Sequence, residues 1–306
     1  MAAVVTKRKK IQFSKGCVYE GKPFSGCRWV EDKFDGLRGG IMFEGNTGSA
    51  VTLTGLPIPN AQHIIDELAS NGNFRGMMLD GELKSTNWNE SSSIVKTQSP
   101  HPHALDLQFY VFDLIPLGIW ERKDTTCVLQ ERKMELRRRM EYDQRVKAHR
   151  EMPHVKYVDH ISVKENDHAM LLTLRNEAIS RGLEGIMIKD PSAVYAYRKT
   201  NDWLKWKPVN EDDFVITGAK EGLGKHAGRL GALNVVGMKD ITSRKNLIDY
   251  AFEVGGGYTD LERQELWSDF LNGRVLGRIL QAEFEIAADI PVRNPVFIRM
   301  RDDKDM

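Results

Sequence analysis

The residue best suited to covalent chemistry is Lys33, at the centre of the run EDKFDGLR (31–38). A lysine amine attacks only when uncharged, and at the reference pKa roughly one lysine in a few thousand is neutral at pH 7. Neighbouring cations or a metal ion would have to favour the neutral form. By itself the K-x-D-G-x-R pattern is weak, and a surface Lys/Asp pair in a hairpin is the simpler interpretation.

Two stretches carry carboxylates suited to phosphate chemistry. In LDGEL (79–83), Asp80 and Glu82 share a strand face, and Glu82 could bind a ribose hydroxyl or help to place a metal ion. In EGIMIKDP (184–191), Glu184 precedes an apolar strand and suits Mg²⁺, which prefers oxygen ligands. An acidic hairpin and a strand with charged ends are the structural alternatives.

Two further stretches are basic. In WLKWKP (203–208), strand alternation places Lys205 and Lys207 on one face, where they repel unless an anion such as a phosphate lies between them. A solvated edge strand explains the same pattern. FIRMRDDK (297–304) predicts a charged strand, and order near a terminus would indicate a function.

Periodicity and turn residues predict the elements that position these motifs. Strands are predicted at 28–34, 37–44, 49–54, 77–83, 108–115, 155–160, 184–190 and 203–208, with Phe34 pointing into the core and a sharp turn at Gly36. Helices are predicted at 60–70 (capped by Asn60), 128–150 (solvated, with one packed stripe), 165–181 and 259–271, and a long loop at 85–105. After residue 209 the pattern changes to strands separated by glycines, which predicts domains at 1–209 and 210–306.

Composition is that of an ordinary globular protein. The 306 residues are 41% hydrophobic and 28% charged, with a net charge of +1. No apolar run approaches the roughly 18 residues of a membrane span, and no signal-peptide core is present. Three cysteines without pairing or metal-ligand spacing argue against a zinc module and favour a reducing compartment.

Together and in this order, the motifs resemble those of ATP-dependent DNA ligases of the minimal, two-domain bacteriophage type. The matching stretches are EDKFDGLR, LDGEL, FYVFDLIPL, EGIMIKDP, WLKWKP and FIRMRDDK. The wider covalent nucleotidyltransferase superfamily also contains RNA ligases and mRNA capping enzymes. GAKEGLGKHAGRLG (218–231) and FEVGGGYTDLER (252–263) look like the oligonucleotide-binding (OB) barrel of DNA ligases rather than that of capping enzymes.

The resemblance implies an α+β fold: a nucleotidyltransferase (ATP-grasp-like ligase) domain with antiparallel sheets, followed by a C-terminal OB-fold β-barrel. It implies that Lys33 takes AMP from ATP and that Lys205 and Lys207 contact the α-phosphate. The implied nucleotide contacts are Glu31 (adenine amino group), Phe112 (adenine stacking), Arg38, Glu82, Glu184, Lys189, Arg301, Asp303 and Lys304. Glu184 and Glu82 are the implied metal residues.

The implied activity is the sealing of nicks in double-stranded DNA through lysyl-AMP and AppDNA, with ATP and Mg²⁺, by a monomeric cytoplasmic enzyme (host cytoplasm if viral) without zinc or a membrane partner. An RNA ligase, a capping-type enzyme and a non-catalytic DNA-binding module are the alternatives. The sequence departs from the family at Val51–Gly55, where an arginine is usual, and Arg198 or Lys199 could supply the basic residue expected before Trp203. The stretches 85–105 and 239–247 are candidate DNA contacts.

Overall fold

The computed structural model describes residues 12–145, 152–237, 251–285 and 292–301. The chain divides into two compact units, Met1–Lys207 and Pro208–Met306. Each contains at least one buried hydrophobic cluster of its own.

The first unit contains ten strands and five helices in its described part. The strands are β1 Lys15–Val18, β2 Arg28–Lys33, β3 Leu37–Glu44, β4 Thr47–Thr52, β5 Met77–Lys84, β6 Gln108–Pro116, β7 Val155–Tyr157, β8 His160–Val163, β9 Gly185–Lys189 and β10 Lys199–Trp206. The helices are α1 Gln62–Asn71, α2 Trp88–Lys96, α3 Leu117–Arg122, α4 Leu129–Arg145 and α5 His168–Ser180. Short 3₁₀ turns cover Pro59–Ala61 and Ala104–Asp106.

These strands form two five-stranded sheets. One sheet has the order β1-β10-β9-β2-β8 and packs against α5, whereas the other has the order β4-β3-β5-β6-β7 and packs against α1, α2 and α4. All named strand pairs are antiparallel except β1 with β10 and β6 with β7. The predicted α+β class with antiparallel sheets is confirmed.

The segment between β2 and β3 carries the chain from one sheet to the other, and Lys33 is the last residue of β2. Gly36 lies in this crossing, where a Cβ atom would lie 2.4 Å from the Leu83 carbonyl oxygen. Its φ is not in the left-handed region, so glycine is needed here because two backbone segments approach closely rather than for a turn.

Three local predictions are wrong. The stretch 85–105 contains α2 and a 3₁₀ turn instead of a long loop, because buried Ile94 and Val95 give a helix an apolar face to pack. Residues 155–160 form parts of two strands in different sheets. Asn60 does not cap α1; its buried side chain instead donates to three backbone carbonyls around the end of α2.

The second unit is a curled sheet of order β13-β12-β11-β14-β15. Its elements are β11 Asn210–Glu221, β12 Leu230–Gly237, β13 Ala251–Val254, α6 Asp260–Leu271, β14 Ile279–Glu285 and β15 Arg293–Met300. A bridge between Gly256 and Val296 joins the two edges of the sheet into a barrel. Gly257 has φ of 93° and a Cβ there would lie 2.3 Å from the Phe297 oxygen, so glycine permits this closure.

Helix α6 begins with a capping box in which Thr259 and Glu262 bond each other's backbone amides, and buried Arg263 donates to three carbonyls of the barrel. The predicted helix at 259–271 is therefore confirmed. Among the described residues, no helix combines the length and apolar character of a membrane span.

Candidate active site

A cavity of about 580 Å³ in the first unit is lined by residues of both sheets, a volume typical of nucleotide-sized pockets. Seven of the implied site residues line it: Glu31, Lys33, Arg38, Glu82, Phe112, Lys189 and Lys205. Glu184 and Lys207 do not line the cavity. Glu184 contacts Lys33 directly, and Lys207 is connected to Lys33 through the Glu184 carboxylate. The structure therefore brings together the residues that the motifs of the first unit singled out.

The Lys33 amine donates to Glu184 Oε2, and Lys207 Nζ donates to Glu184 Oε1 at 3.0 Å. One carboxylate thus holds two ammonium groups together, and all three side chains are largely buried. Burial alone raises the pKa of Glu184. The positive charges of Lys33 and Lys207 outweigh the effect of burial and hold this pKa below its ordinary value. Glu184 is consequently an ionised partner for the reactive amine.

Alternation along β10 places its side chains as predicted. Lys205 lines the cavity, whereas Leu204 and Trp206 pack against the core cluster under α5. The predicted inward orientation of Phe34 is wrong: its ring lines the cavity and stacks on Tyr110 with centroids 4.1 Å apart. Because β2 ends at Lys33, alternation no longer applies to Phe34.

At another part of the cavity, Glu31 is paired with two buried lysines. Lys189 Nζ donates to Glu31 Oε2 at 2.5 Å, and Lys133 Nζ lies 2.8 Å from Glu31 Oε1. The Lys189 ammonium also lies 4.5 Å and 4.2 Å from the ring centroids of Phe112 and Trp203. Burial lowers the pKa of Lys189, and Glu31 opposes that effect.

Arg38 is fixed by a bidentate ion pair with fully buried Asp80, at 2.8 Å and 2.5 Å. Tyr195 donates to the same carboxylate at 2.6 Å, and Arg38 donates to the Ser14 carbonyl. Burial alone lowers the pKa of Arg38. The negative charge of Asp80 outweighs the effect of burial, so this pKa lies above its ordinary value. A rigid, permanently charged guanidinium at a cavity wall is suited to polar atoms of a ribose or phosphate.

Glu82 is partly buried at the cavity and forms no hydrogen bond or ion pair within the described residues. Burial raises the pKa of this carboxyl to about 7, against the opposing charges of Lys33 and Arg38. Carboxylate oxygens are the ligands that Mg²⁺ prefers, and both Glu82 and Glu184 can supply them. A magnesium ion held by Glu82 and Glu184 stays a prediction, because both oxygens of Glu184 accept hydrogen bonds from lysines here.

Arg301 belongs to the second unit, where it donates to both oxygens of Asp213 at 2.9 Å and 2.8 Å. Arg299 donates to Gln281 on the neighbouring strand. Asp303 and Lys304 lie outside the described residues, as does the candidate DNA contact at 239–247. The implied nucleotide role of the C-terminal motif stays a prediction.

Sequence reasoning missed two buried basic residues of α4 and several residues that line the cavity. Lys133 was placed on a solvated helix, yet it and Arg132 are buried, and Arg132 pairs with buried Asp113 at 2.8 Å. Arg132 and Lys133 follow Leu129 by three and four residues and precede Leu136 by four and three, so all four lie on one helix face. This spacing is the sequence pattern that could have predicted their burial. The cavity is also lined by Lys15, Lys96, Thr52 and Thr54. The two threonines belong to the stretch Val51–Gly55, in which an arginine was expected.

Comparison with known proteins agrees with this geometry. The sequence profile of the ATP dependent DNA ligase domain matches residues 20–207, which is more than half of the chain. DNA ligase 2 of the archaeon Methanosarcina acetivorans is 34% identical over 170 residues, which cover 47% of this chain and 29% of that protein. The chain therefore spans less than a third of the length of that relative.

Two solved structures share the fold. "Pmar-Lig_PreS3" has a TM-score of 0.79 at 23% identity and covers 95% of this chain and 68% of its own. A structure from a study of Lig E DNA ligases has a TM-score of 0.70 at 18% identity, and the match covers 96% of this chain and 99% of that chain. The OB-fold prediction for the second unit is confirmed by this agreement over nearly the whole chain. Both the sequence match and the arrangement around Lys33 show that the chain belongs to the ATP-dependent DNA ligase domain family.

Proposed function

We propose that this protein is a monomeric, cytoplasmic ATP-dependent DNA ligase that joins a 5′-phosphate to a 3′-hydroxyl at nicks in double-stranded DNA. Residues 1–209 are the adenylation domain and residues 210–306 the OB-fold domain of this proposal. The observation that carries it is the position of Lys33, which lines a nucleotide-sized cavity while its amine contacts Glu184 beside Lys207.

In the first step the Lys33 amine attacks the α-phosphorus of ATP. A nitrogen–phosphorus bond forms, the bond to the β-phosphate oxygen breaks, and pyrophosphate leaves with that electron pair. The amine also loses a proton, and Glu184 Oε2 already accepts its hydrogen bond. Lys205 and Lys207 supply positive charge for the phosphoryl oxygens, because this transfer depends chiefly on positioning and charge neutralisation.

Two further transfers complete the proposal. The 5′-phosphate at the nick attacks the lysyl-AMP phosphorus, which releases Lys33 and gives AppDNA. The 3′-hydroxyl then attacks the 5′-phosphate, and AMP leaves as the phosphodiester forms. Lys33 is thus regenerated, and its pairing with Glu184 returns the site to its starting state.

Magnesium belongs to the proposal as a cofactor held by Glu184 and Glu82. When bound, it would neutralise phosphate charge. Base recognition would fall to Glu31 and Phe112, which line the cavity. Arg301, Asp303 and Lys304 keep their proposed role in orienting the leaving pyrophosphate.

The proposal is tested by supplying ATP, GTP or NAD in turn without nucleic acid, and then nicked DNA or nicked RNA. An AMP adduct from ATP alone, followed by sealing of nicked DNA, is the expected result. Labelling by GTP would indicate a capping-type enzyme, and sealing restricted to RNA would indicate an RNA ligase. Binding of nicked DNA without any adduct would indicate a non-catalytic module.

A further inference from the structure

Lys133 lies on α4, outside the lining of the cavity, and is among the most deeply buried charged side chains of the first unit. Its ammonium donates to the Val158 carbonyl at 2.5 Å and lies 4.8 Å from the centroid of the Tyr157 ring. Both partners lie at or just after the end of β7, so the sheet and the helix together fix the position of this charge.

The two oxygens of Glu31 are not equivalent. Oε2 accepts a hydrogen bond from Lys189, whereas Oε1 is buried, lies 2.8 Å from the Lys133 ammonium and accepts no hydrogen bond within the described part of the chain. A buried carboxylate oxygen normally has hydrogen-bond partners. Glu31 lines the cavity, and Lys133 and Lys189 each pair with a different oxygen of its carboxylate, so the two lysines together fix the position of this group.

We propose that Lys133 is a positioning residue for base recognition: it holds Glu31 as an ionised acceptor at the cavity wall, where the exocyclic amino group of adenine would bind. This inference rests on the proposed function, in which Glu31 faces the base. An ionised carboxylate is an acceptor only. It therefore pairs with the amino group of adenine and repels the carbonyl oxygen that guanine carries at the same position.

The test compares adduct formation from ATP and from purine ribonucleoside triphosphate, which lacks the amino group. A charge-assisted hydrogen bond gives the unaltered protein a preference for ATP in kcat/KM of roughly 10- to 100-fold. Lys133→Met should reduce this preference to within about threefold, because the Glu31 carboxylate loses one of the two lysines that fix its position. Lys133→Arg, which keeps the charge, should restore part of it.

Arg139→Met is the matched control, since Arg139 lies on the same helix and pairs with Glu135 away from the cavity. It should keep the full preference for ATP. A purely structural role of Lys133 would lower kcat/KM for both nucleotides by the same factor and overturn the inference. If no adduct forms in the unaltered protein, the proposed function fails instead.

Lys133→Met leaves Glu31 with one partner fewer in a buried site and can impair folding. The double variant Glu31→Gln with Lys133→Met removes the unpaired negative charge together with the lysine. If Lys133 acts through Glu31, the double variant has the same preference for ATP as Glu31→Gln alone. A further loss of preference in the double variant would contradict the inference.

Discussion

Replacing Glu82 by glutamine should stabilise the ligand-free protein at neutral and alkaline pH. The pKa of this carboxyl is raised from 4.5 to about 7, chiefly by burial, with Lys33 and Arg38 opposing and Glu184 and Asp80 assisting. Above pH 4.5 the unfolded chain loses this proton more readily than the folded chain. Ionisation of Glu82 therefore destabilises the fold progressively between pH 4.5 and 7, and the whole effect is present above pH 7.

The size of the effect follows from the two pKa values. A difference between 4.5 and about 7 corresponds to roughly 3 kcal/mol. Glutamine has nearly the same shape and no charge, so Glu82→Gln removes this cost without leaving a cavity. The expected gain is close to zero at pH 4.5 and reaches roughly 3 kcal/mol at pH 8, or an increase in Tm of roughly 6 to 12 °C.

Thermal and urea unfolding of the ligand-free protein between pH 4.5 and 8 measures this gain. Glu44→Gln is the matched control, because Glu44 is an exposed carboxylate near the end of β3, and its effect should be small at every pH. A gain from Glu82→Gln that does not change with pH, or a loss at pH 8, would refute the reasoning. The same variant should have lower ligase activity, since Glu82 is a proposed metal residue.

Three other substitutions test separate parts of the site. Asp80→Asn should lower the free energy of unfolding by roughly 3 to 5 kcal/mol, because it leaves the largely buried Arg38 without its fully buried counter-ion; a loss below about 1 kcal/mol in urea unfolding would contradict this. Lys207→Ala should slow lysyl-AMP formation by roughly 10²- to 10³-fold in single-turnover labelling, and a loss under about tenfold would exclude the phosphate role. Arg301→Ala should weaken adenylation more than sealing of pre-adenylated DNA, and equal losses in the two assays would argue against its orienting role.

Sequence patterns predicted the parts of the site that lie on strands. Alternation along β10 separated Lys205 from Leu204 and Trp206, and the order of the motifs identified Lys33 and Glu184 as neighbours before any distance was known. Period-2 alternation fixes the direction of a side chain without knowledge of the tertiary fold. It could not show that Glu184 itself bridges Lys33 and Lys207.

What escaped prediction depends on tertiary packing. The polar composition of 85–105 concealed α2, although Asn87 accepts a bond from the Glu90 amide in a capping pattern that was present in the sequence. Lys133 was assigned to a solvated face because a charged residue is seldom fully buried. Only the fold shows that Val158, just after β7, and Glu31 supply its partners.

The most direct test of the account is to identify the residue that carries AMP. The protein is incubated with ATP and Mg²⁺, digested, and the modified peptide is mapped by mass spectrometry, with Lys33→Ala treated in parallel. The expected result is a single adenylated lysine at position 33 in the unaltered protein and none in the variant, which still folds. An adduct on another lysine, or one that persists in Lys33→Ala, would contradict the account.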